Sequence, residues 1–273
     1  MSMAGKCVWI TGASSGIGAA LARAYARRGC RLILSGRNQA ALAEVAGQCG
    51  VEHLILPFDT ADFAAAQQAA DQAWDWSGGI DVLVNNAGIS QRSLAIDTDF
   101  AVYRKMIDID LLGPICLTQA LIKRMAGRKT GQIIMISSLA GKIGSPLRTA
   151  YCAAKHGLIG YADSLRLELS PHNVSVIGVT PGSIRTDVSR NAITADGGRR
   201  GESDAAIDNG IDPDDFAERM ISMIDAGQRE VMIADAPTEK MIGEARRTPE
   251  ELIDRMIEMF NKGYAAQMGV KEK

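Results

Sequence analysis

A tyrosine and a lysine stand four residues apart in the stretch SPLRTAYCAAKHGLIGYADSLRLEL, residues 145–169. This stretch has the spaced apolar residues of a helix, and four residues return a side chain to the same helical face. Tyr151 and Lys155 can therefore point into one site, where the ammonium would stabilise a phenolate. Such a pair could give and take a proton, although in isolation it is more often a half-buried ring beside a surface lysine.

A glycine-rich turn near the start of the chain is a second candidate site. The apolar run KCVWI leads into TGASSGIG, which contains Gly12, Gly16 and Gly18 and is followed by a helical pattern. Glycines permit a tight turn and a close ligand, and a helix N-terminus offers free N–H groups that favour an anion. The spacing differs from the dinucleotide fingerprint G-x-G-x-x-G, so a purely structural turn is the alternative.

The end of the second apolar run, LILSGRN, indicates which nucleotide would bind. A cofactor with a free ribose 2′-hydroxyl calls for an acidic residue at this place. Gly36 stands there instead, and Arg37 follows. A guanidinium can hold a 2′-phosphate through charge-assisted hydrogen bonds, so the sequence favours NADP(H) over NAD(H). The alternative is that Arg37 is an ordinary surface cation.

The order of apolar and helical segments predicts the fold that must position these residues. Short apolar runs recur as KCVWI, CRLIL, HLILPF, IDVLV, QIIMIS, VSVIGV and EVMIA. Such runs are typical of strands buried on both faces. The segments 16–29, 38–49, 61–76, 98–128 and 149–170 have helical patterns. The alternation predicts an α/β fold with a doubly wound parallel sheet.

Two segments near the end of the chain do not fit this alternation. Residues 187–212 are polar, contain several glycines and exceed a typical connection, so we expect a loop over the substrate. Residues 248–273 are expected to form a helical tail that packs on the sheet or on a partner subunit. Its apolar stripe comprises Leu252, Ile253, Met256, Ile257 and Phe260.

Composition narrows the function classes. The 273 residues are 47% hydrophobic and 23% charged, with a net charge of −2, which gives no electrostatic reason to expect nucleic acid. No long apolar run precedes the first turn, so we expect a cytoplasmic protein without a membrane segment. The cysteines are Cys7, Cys30, Cys49, Cys116 and Cys152. They lack the close pairs of a zinc or redox site, so we expect reduced thiols and no metal.

Five motifs occur in a recognisable order: TGASSGIG at 11–18, NNAG at 85–88, SS at 137–138, YCAAK at 151–155 and PG at 181–182. Over residues 5–190 this combination closely resembles the short-chain dehydrogenase/reductase family. It is similar to 3-oxoacyl-carrier-protein reductases and hydroxysteroid dehydrogenases. The resemblance implies one Rossmann-type domain of about seven parallel strands that spans residues 1–273. It also implies alcohol–carbonyl interconversion with a nicotinamide cofactor, often in a homodimer or homotetramer.

The resemblance assigns roles at the reacting centre. The family's proton donor falls on Tyr151, and its partner, which also binds the nicotinamide ribose, falls on Lys155. The family's substrate-binding serine falls on Ser138, whose hydroxyl would hold the reacting oxygen. Ser137 is the alternative candidate for this role. Because adjacent strand residues point to opposite sides, only one of the two serines can face the site, and the thirteen-residue spacing to Tyr151 favours Ser138.

The resemblance also implies a set of cofactor-binding residues. They are Gly12, Ser14, Ser15, Gly16, Ile17 and Gly18 in the glycine turn, Arg37, Asp59 and Thr60 after the second and third strands, Asn86, Ala87 and Gly88 in NNAG, Tyr151 and Lys155, and Pro181, Gly182, Ile184 and Thr186. Asn85 is expected mainly to tie strands together. Asp59 could instead cap the following helix, and the Pro-Gly pair could be a simple turn.

One position departs from the family pattern. In MIDIDLLGP the family usually has asparagine three residues before the glycine, as a fourth catalytic residue whose backbone helps to hold a water near the lysine. Here that position is Asp110. A buried carboxylate needs a cationic or hydrogen-bonding partner, or else a raised pKa. We keep Asp110 as a candidate catalytic residue that could alter the pH optimum.

These patterns favour an oxidoreductase that transfers hydride between NADP(H) and a small or medium-sized ketone or secondary alcohol, with Tyr151 as general acid and base. A non-catalytic NADP(H)-binding sensor or regulator is the alternative from another class, because a fold alone does not establish chemistry. An NAD-dependent dehydrogenase is the third reading. The identity of the substrate and the direction of the reaction do not follow from the sequence.

Overall fold

A seven-stranded parallel sheet organises the computed structural model, which describes residues 3–245, 254–255, 257–259 and 262–267. The strands are β1 (Cys7–Thr11), β2 (Arg31–Gly36), β3 (His53–Pro57), β4 (Val82–Asn85), β5 (Gly131–Ile136), β6 (Val174–Pro181) and β7 (Glu230–Ile233). Their order in the sheet is β3-β2-β1-β4-β5-β6-β7. The predicted doubly wound parallel sheet in one domain is confirmed.

Helices cover both faces of this sheet. They are α1 (Gly16–Arg27), α2 (Gln39–Cys49), α3 (Phe63–Ser77), α4 (Phe100–Ile107), α5 (Gly113–Arg128), α6 (Thr149–Leu169), α7 (Ala205–Asp208), α8 (Pro213–Asp225), α9 (Ala236–Ala245) and α10 (Tyr264–Gln267). Helices α1, α2 and α8 pack on one face, and α3, α5 and α6 pack on the other. No helix within the described part of the chain has the length and apolar character to cross a bilayer.

The strands alternate their side chains between these two helical layers, as a pleated strand requires. In β1, Val8 and Ile10 face the layer of α1, whereas Cys7 and Trp9 face the layer of α3. All four are buried. Because both faces are covered, the first four positions of β1 are apolar, which explains the continuous hydrophobic run in the sequence.

Helix boundaries follow local capping chemistry. Asn38 and Asp62 precede α2 and α3, and each side-chain oxygen accepts a hydrogen bond from the backbone N–H three residues later. Gly50 and Gly78 end the same helices in the left-handed conformation. Each cap satisfies backbone groups that the helix itself leaves unpaired.

The single helix expected over residues 98–128 is two helices. A π-helical turn, Asp108–Leu112, separates α4 from α5 and brings Asp110 into the interior. Gly113 follows the turn at a close approach, since a Cβ there would lie 2.7 Å from the carbonyl oxygen of Thr60. The apolar spacing continues across the turn, so periodicity alone does not reveal the break.

The segment 187–212, expected to be loose, is tied to the body of the protein. Ile193 pairs with the loop after β4, where its N–H donates to Ser90 O at 2.8 Å and its carbonyl accepts from Arg92 N at 2.9 Å. Helix α7 forms within the segment. The predicted role of this segment as a substrate loop stays a prediction.

A buried ion cluster also ties this segment to the loop after β4. The side chains of Arg92 and Asp204 are each 3% exposed and form an ion pair. Arg200 also pairs with this carboxylate, and Arg148 approaches it at 3.4 Å. Burial by itself would raise the pKa of Asp204, but hydrogen bonds from Arg92 and Arg200 hold it well below its usual value.

Most of the predicted tail, 248–273, lies outside the described residues. Within the described parts, Ile257 and Met259 are exposed, and α10 brings Tyr264 to within 3.5 Å of Arg148. All five cysteines are free thiols; Cys7 and Cys30 are buried, and Cys49, Cys116 and Cys152 are half-buried.

Removing the shared carboxylate should destabilise the fold. Because Asp204→Ala leaves buried guanidinium groups without their counter-ion, we expect the free energy of unfolding at neutral pH to fall by about 3–5 kcal/mol. Asp208→Ala in exposed α7 is the matched control, with a change within about 0.5 kcal/mol. Chemical denaturation measures both, and equal effects of the two variants would contradict this account.

The stabilisation by the Arg92–Asp204 ion pair is expected to be lost at acid pH. The lowered pKa of Asp204 means that its contribution is present above the unfolded value of about 4 and is lost as the pH falls towards the folded value. The stability difference between the parent protein and Asp204→Ala should therefore shrink below about pH 4.

Candidate active site

The candidate site lies where the carboxyl ends of the central strands meet. The chain winds from β1 outward to β3 and then returns to place β4 on the other side of β1. Ligands of open α/β sheets bind in the crevice at such a switch point. The glycine turn follows β1, NNAG begins at the end of β4, Ser137 and Ser138 follow β5, and Pro181 ends β6. The predicted site residues are therefore brought to one edge.

The glycine turn between β1 and α1 is too closely packed for side chains. A Cβ on Gly12 would lie 2.8 Å from Ala87 Cα, and one on Gly18 would lie 2.2 Å from Gly12 O. Gly12 and Gly16 also have φ near +60°, where other residues are strained. Ser15 makes no side-chain cap, so α1 begins with backbone N–H groups that can face an anion.

Thr11, which the sequence analysis did not single out, holds the two strand ends together. Its hydroxyl accepts hydrogen bonds from Asn86 N and Ala87 N, at 3.0 and 3.1 Å, and donates to Val84 O. Asn86 Nδ2 donates to Thr11 O at 2.9 Å. The first residue of TGxxxGxG is thus the anchor for the turn of NNAG.

Asn85, which is expected from the sequence to tie strands together, joins β4 both to helix α5 and to the neighbouring strand β5, where its Nδ2 lies 3.4 Å from Met135 Sδ. Its side-chain amide is buried and donates to Thr118 Oγ1 on α5 at 3.1 Å. Its neighbour Asn86 faces the glycine turn instead. The two asparagines therefore divide the work between fold and site.

The two serines after β5 point in different directions, as adjacent extended residues must. Ser137 is buried and donates from Oγ to Lys155 O at 3.0 Å. Ser138 is half-buried and begins the short 3₁₀ helix Leu139–Gly141, where its Oγ accepts from Ala140 N. Ser137 is committed to the scaffold, and the hydroxyl of Ser138 keeps its donor for another partner.

Lys155 is buried where four elements meet. Its side chain is only 5% exposed, and Nζ donates to Ile136 O at the end of β5 at 3.2 Å. Nζ also lies 3.2 Å from Asp110 Oδ2 in the π-helical turn and 5.6 Å from the centroid of the Tyr151 ring. The tyrosine and the ammonium therefore share one helical face, as their spacing predicts.

Asp110 is fully buried and has a different contact on each carboxylate oxygen. Oδ1 accepts from Ile89 N at 2.9 Å. Oδ2 lies 3.2 Å from Lys155 Nζ, and this ion pair is its main contact. Burial raises the pKa of Asp110 above its usual value, and Lys155 and the Ile89 N–H oppose that rise.

The neighbouring groups also shift the pKa of Lys155. Burial alone would lower the pKa of Lys155, but the Asp110 carboxylate and Tyr151 raise it above its usual value. These two neighbours favour the ammonium form of Lys155, and in its ionised form the Asp110 carboxylate balances that charge. Gly88 leaves room for the pair, since a Cβ there would lie 3.2 Å from Asp110 Oδ2 and 3.3 Å from Lys155 Nζ.

Tyr151 stands half-buried beside an apolar cluster. The cluster contains Val102 and Met106 of α4, Ala150 and Ala154 of α6 and Ile193, with Ile89 packed against it. The first turn of helix α6, which carries Tyr151, is anchored by Gln91. This side chain is fully buried, and its Oε1 accepts from Ala150 N at 2.9 Å. Nothing in the local sequence marks Gln91, because its partner is 59 residues away.

At the far end of the cleft, β2 ends beside the glycine turn. A Cβ on Gly36 would lie 3.6 Å from Ser14 Oγ. Arg37 is 70% exposed and forms a long ion pair with Asp59 at 3.9 Å. Asp59 closes a tight turn by accepting from Ala61 N, whereas Asp62 caps α3. The alternative role of Asp59 as the helix cap is therefore filled by Asp62.

The segment after β6 crosses the glycine turn. The methyl group of Thr186 approaches Gly16, where a Cβ would lie 3.0 Å from it. Gly182 packs against Ala234, and Ile184 is buried and bridges to Ile211. Thr60, which follows β3, packs against Gly113 at the start of α5.

A polar groove of about 330 Å³ lies beside the glycine turn rather than over Tyr151. It is lined by Ser14, Ser15, Gly16, Arg23, Arg185 and Thr186, among others. Because it meets the N-terminus of α1, it suits a phosphate-bearing ligand. Within the described residues, no cluster of histidine, cysteine and acidic side chains is arranged to hold a metal ion.

Three comparisons with known proteins agree with this architecture. The family model described as short chain dehydrogenase matches residues 6–196. Dehydrogenase/reductase SDR family member 7B of Xenopus tropicalis is 37% identical over 237 residues, which cover 83% of this chain and 76% of that protein.

Solved structures extend the likeness. A metagenomic short-chain oxidoreductase in complex with NADP is 32% identical, has a TM-score of 0.71 and is matched over 85% of this chain and 98% of its own. A short chain dehydrogenase/reductase from Burkholderia phymatum in complex with NAD has a TM-score of 0.81 over 93% of this chain and 96% of its own. At 22% identity, the latter shows the shared fold alone.

A side chain at Gly18 should disrupt the glycine turn. Because its Cβ would press on the Gly12 carbonyl, we expect Gly18→Ala to lose stability and at least tenfold affinity for nicotinamide dinucleotides. Gly47→Ala is the control, because Gly47 lies in α2 with open space around it. Replacing a helical glycine there should stabilise the protein by up to about 1 kcal/mol. Denaturation and fluorescence titration measure these effects, and unchanged binding in Gly18→Ala would contradict the assignment.

Proposed function

The chain belongs to the short-chain dehydrogenase/reductase family, and on that premise we propose that it transfers hydride between NADP(H) and a ketone or secondary alcohol. The observation that carries this proposal is the buried Lys155 ammonium beside the Tyr151 ring. The ammonium also donates to Ile136 O at the end of β5, two residues before Ser138. Burying a cation is costly, so its place next to a phenol favours a chemical role.

The residues present fit a nicotinamide dinucleotide. Gly12 and Gly18 leave no room for side chains where the backbone turns, and the uncapped start of α1 can receive a pyrophosphate. Asn86, Ala87 and Gly88 would line the middle of the cleft, and Pro181, Gly182, Ile184 and Thr186 would cover the nicotinamide end. When bound, the nicotinamide supplies or accepts the hydride.

The side chains of this protein would handle the proton. In reduction Tyr151 gives its phenolic proton to the carbonyl oxygen, and in oxidation it takes the proton of the alcohol. Lys155 stabilises the phenolate that remains after donation. Ser138 holds the reacting oxygen through its hydroxyl, which orients the carbonyl for attack.

The preference for NADP(H) rests on the end of β2. Gly36 offers no carboxylate to a ribose hydroxyl, and the exposed guanidinium of Arg37 is available to a 2′-phosphate. The solved relative that binds NADP is 32% identical to this chain, which supports the same preference. The weak contact between Arg37 and Asp59 is compatible with the NAD-dependent alternative, and the two readings are tested below.

The substrate is proposed to be a small molecule with an apolar body. Ile89 and Ile193 belong to the apolar cluster around Tyr151, and Leu147 and Ala140 are buried near it in sequence. A charged group in such a wall would lose its hydration without compensation. A cytoplasmic location and a homodimeric or homotetrameric assembly remain predictions.

Removing the phenol hydroxyl should abolish turnover and spare binding. Tyr151→Phe is expected to lower the rate of cofactor oxidation against a panel of ketones by about 10²–10⁴-fold, because general acid catalysis is lost. Affinity for NADPH should stay within about twofold, since the ring remains. Tyr161→Phe, further along α6, is the control and should keep full activity. A parent protein that binds NADPH tightly but turns over no carbonyl would support the sensor or regulatory alternative.

Removing the guanidinium at position 37 should change the choice of cofactor. Because a charge-assisted hydrogen bond contributes about 1.5–3 kcal/mol, Arg37→Ala is expected to weaken NADPH binding by about tenfold or more. NADH binding should change little. Arg219→Ala, which removes an exposed arginine on α8, is the control. Equal losses for both cofactors, or none, would favour the NAD-dependent reading.

A further inference from the structure

Asp110 places a carboxyl group beside the Tyr151–Lys155 pair, where its ionised form carries a negative charge that the family's usual asparagine would not supply. The carboxylate is 0% exposed, and its Oδ1 is held by Ile89 N at 2.9 Å. This bond fixes its orientation, so Oδ2 remains 3.2 Å from Lys155 Nζ. The side chain cannot turn towards solvent, because the π-helical turn places it in the interior.

The electrostatic surroundings of this carboxylate are simple. The ionisable groups that act on Lys155 are Asp110 from the π-helical turn and Tyr151 from α6 itself. Lys155 is the ionisable group that acts on Asp110. Strand β5 and the loop after β4 face the pair with Ile136 O and Ile89 N, which do not titrate. Among the described residues, the three side chains thus form one charge unit.

The packing keeps this unit compact. Gly88 lies against both charged atoms, and a Cβ on it would come within 3.2 Å of the carboxylate and 3.3 Å of the ammonium. In an interior of low dielectric constant, charges at such distances act strongly on one another. The negative charge therefore cancels part of the positive potential that Lys155 exerts on Tyr151.

We propose that Asp110 is a positioning residue that keeps Tyr151 protonated to higher pH and so extends the pH range of carbonyl reduction. The inference rests on the proposed function, because it assumes that Tyr151 is the proton donor. In reduction the carbonyl carbon gains hydride from the reduced nicotinamide, and its oxygen gains the proton of Tyr151. The phenolate must then regain a proton from solvent. The overall equilibrium of the reaction is unchanged; only the pH at which each direction runs fast is set.

The charges of Lys155 and Asp110 determine the direction in which the ionisation of Tyr151 moves. A lone ammonium would stabilise the phenolate fully, and Tyr151 would lose its proton at a lower pH. With the carboxylate present, the ammonium is partly neutralised and the phenol keeps its proton for longer. Reduction needs the phenol, and its rate falls once the phenolate forms. Oxidation needs the phenolate, and its rate rises over the same pH range.

Asp110→Asn tests this by removing the charge and keeping an oxygen for Ile89 N. We expect two changes in the pH–rate profiles. The alkaline limb of the profile for reduction and the acid limb of the profile for oxidation should both move to lower pH by about one unit. Asp108→Asn removes the same charge from a half-buried position in the same turn and is the matched control, with an unchanged profile. If the Asp110→Asn profile coincides with those of the parent and Asp108→Asn, the inference is wrong.

A spectroscopic titration gives a second readout that needs no substrate. The ultraviolet absorbance of phenolate is followed against pH in the parent and in Asp110→Asn, each with Tyr151→Phe as its blank. The difference isolates Tyr151, and its ionisation should move to lower pH when Asp110 is neutral. An unmoved ionisation would overturn the inference even in an inactive variant.

A further variant and the parent enzyme separate the remaining outcomes. If Asp110→Asn does not fold, Asp110→Ser supplies a smaller neutral side chain for the same titration, with the same expected shift. If the parent turns over no carbonyl or alcohol, the proposed function has failed. If the parent is active and neither neutral variant moves the limb or the ionisation, the proposed function stands and the role of Asp110 falls.

Discussion

The architecture around the site depends on one constraint, which is the burial of the Lys155 ammonium. An unpaired buried charge costs several kcal/mol, so the surrounding elements must supply partners. Strand β5 provides a carbonyl oxygen, the π-helical turn provides Asp110, and Gly88 leaves room for the carboxylate and the ammonium. Ser137 holds the backbone of Lys155 itself. These contacts converge on Lys155 and hold this part of helix α6 in place. Tyr151, one turn earlier on the same helix, is positioned by the same contacts.

The parallel sheet makes this convergence possible without long connections. Because all strands run the same way, their carboxyl ends share one edge, and the switch between β1 and β4 opens a crevice there. Thr11 and Asn86 join the two strand ends across this crevice. The absence of side chains at Gly12 and Gly18 then brings the backbone itself to the ligand. The phosphate end uses backbone, and the reacting end uses side chains.

Local rules account for much of this arrangement. The seven apolar runs, the glycine turn and the four-residue spacing of Tyr151 and Lys155 all follow from periodicity or from a motif. Contacts between distant residues could not be predicted in that way. Arg92 and Asp204 are separated by 112 positions, and neither sits in a pattern that suggests a partner. The π-helical turn is likewise hidden, because the apolar spacing of α4 continues into α5 across Asp110.

Two buried carboxylates therefore have different roles in this structure. Asp204 accepts hydrogen bonds from arginines that hold its pKa well below the usual value, so it stays ionised and anchors the segment 187–212 to the loop after β4. Asp110 has one backbone donor and one ion-pair contact, so its charge is less well solvated and responds more to its neighbour. A carboxylate held by many donors adds rigidity, whereas one that shares its charge with a lysine beside a phenol changes the proton affinity of the whole group. The difference in donor number, rather than in burial, separates the structural role from the chemical one.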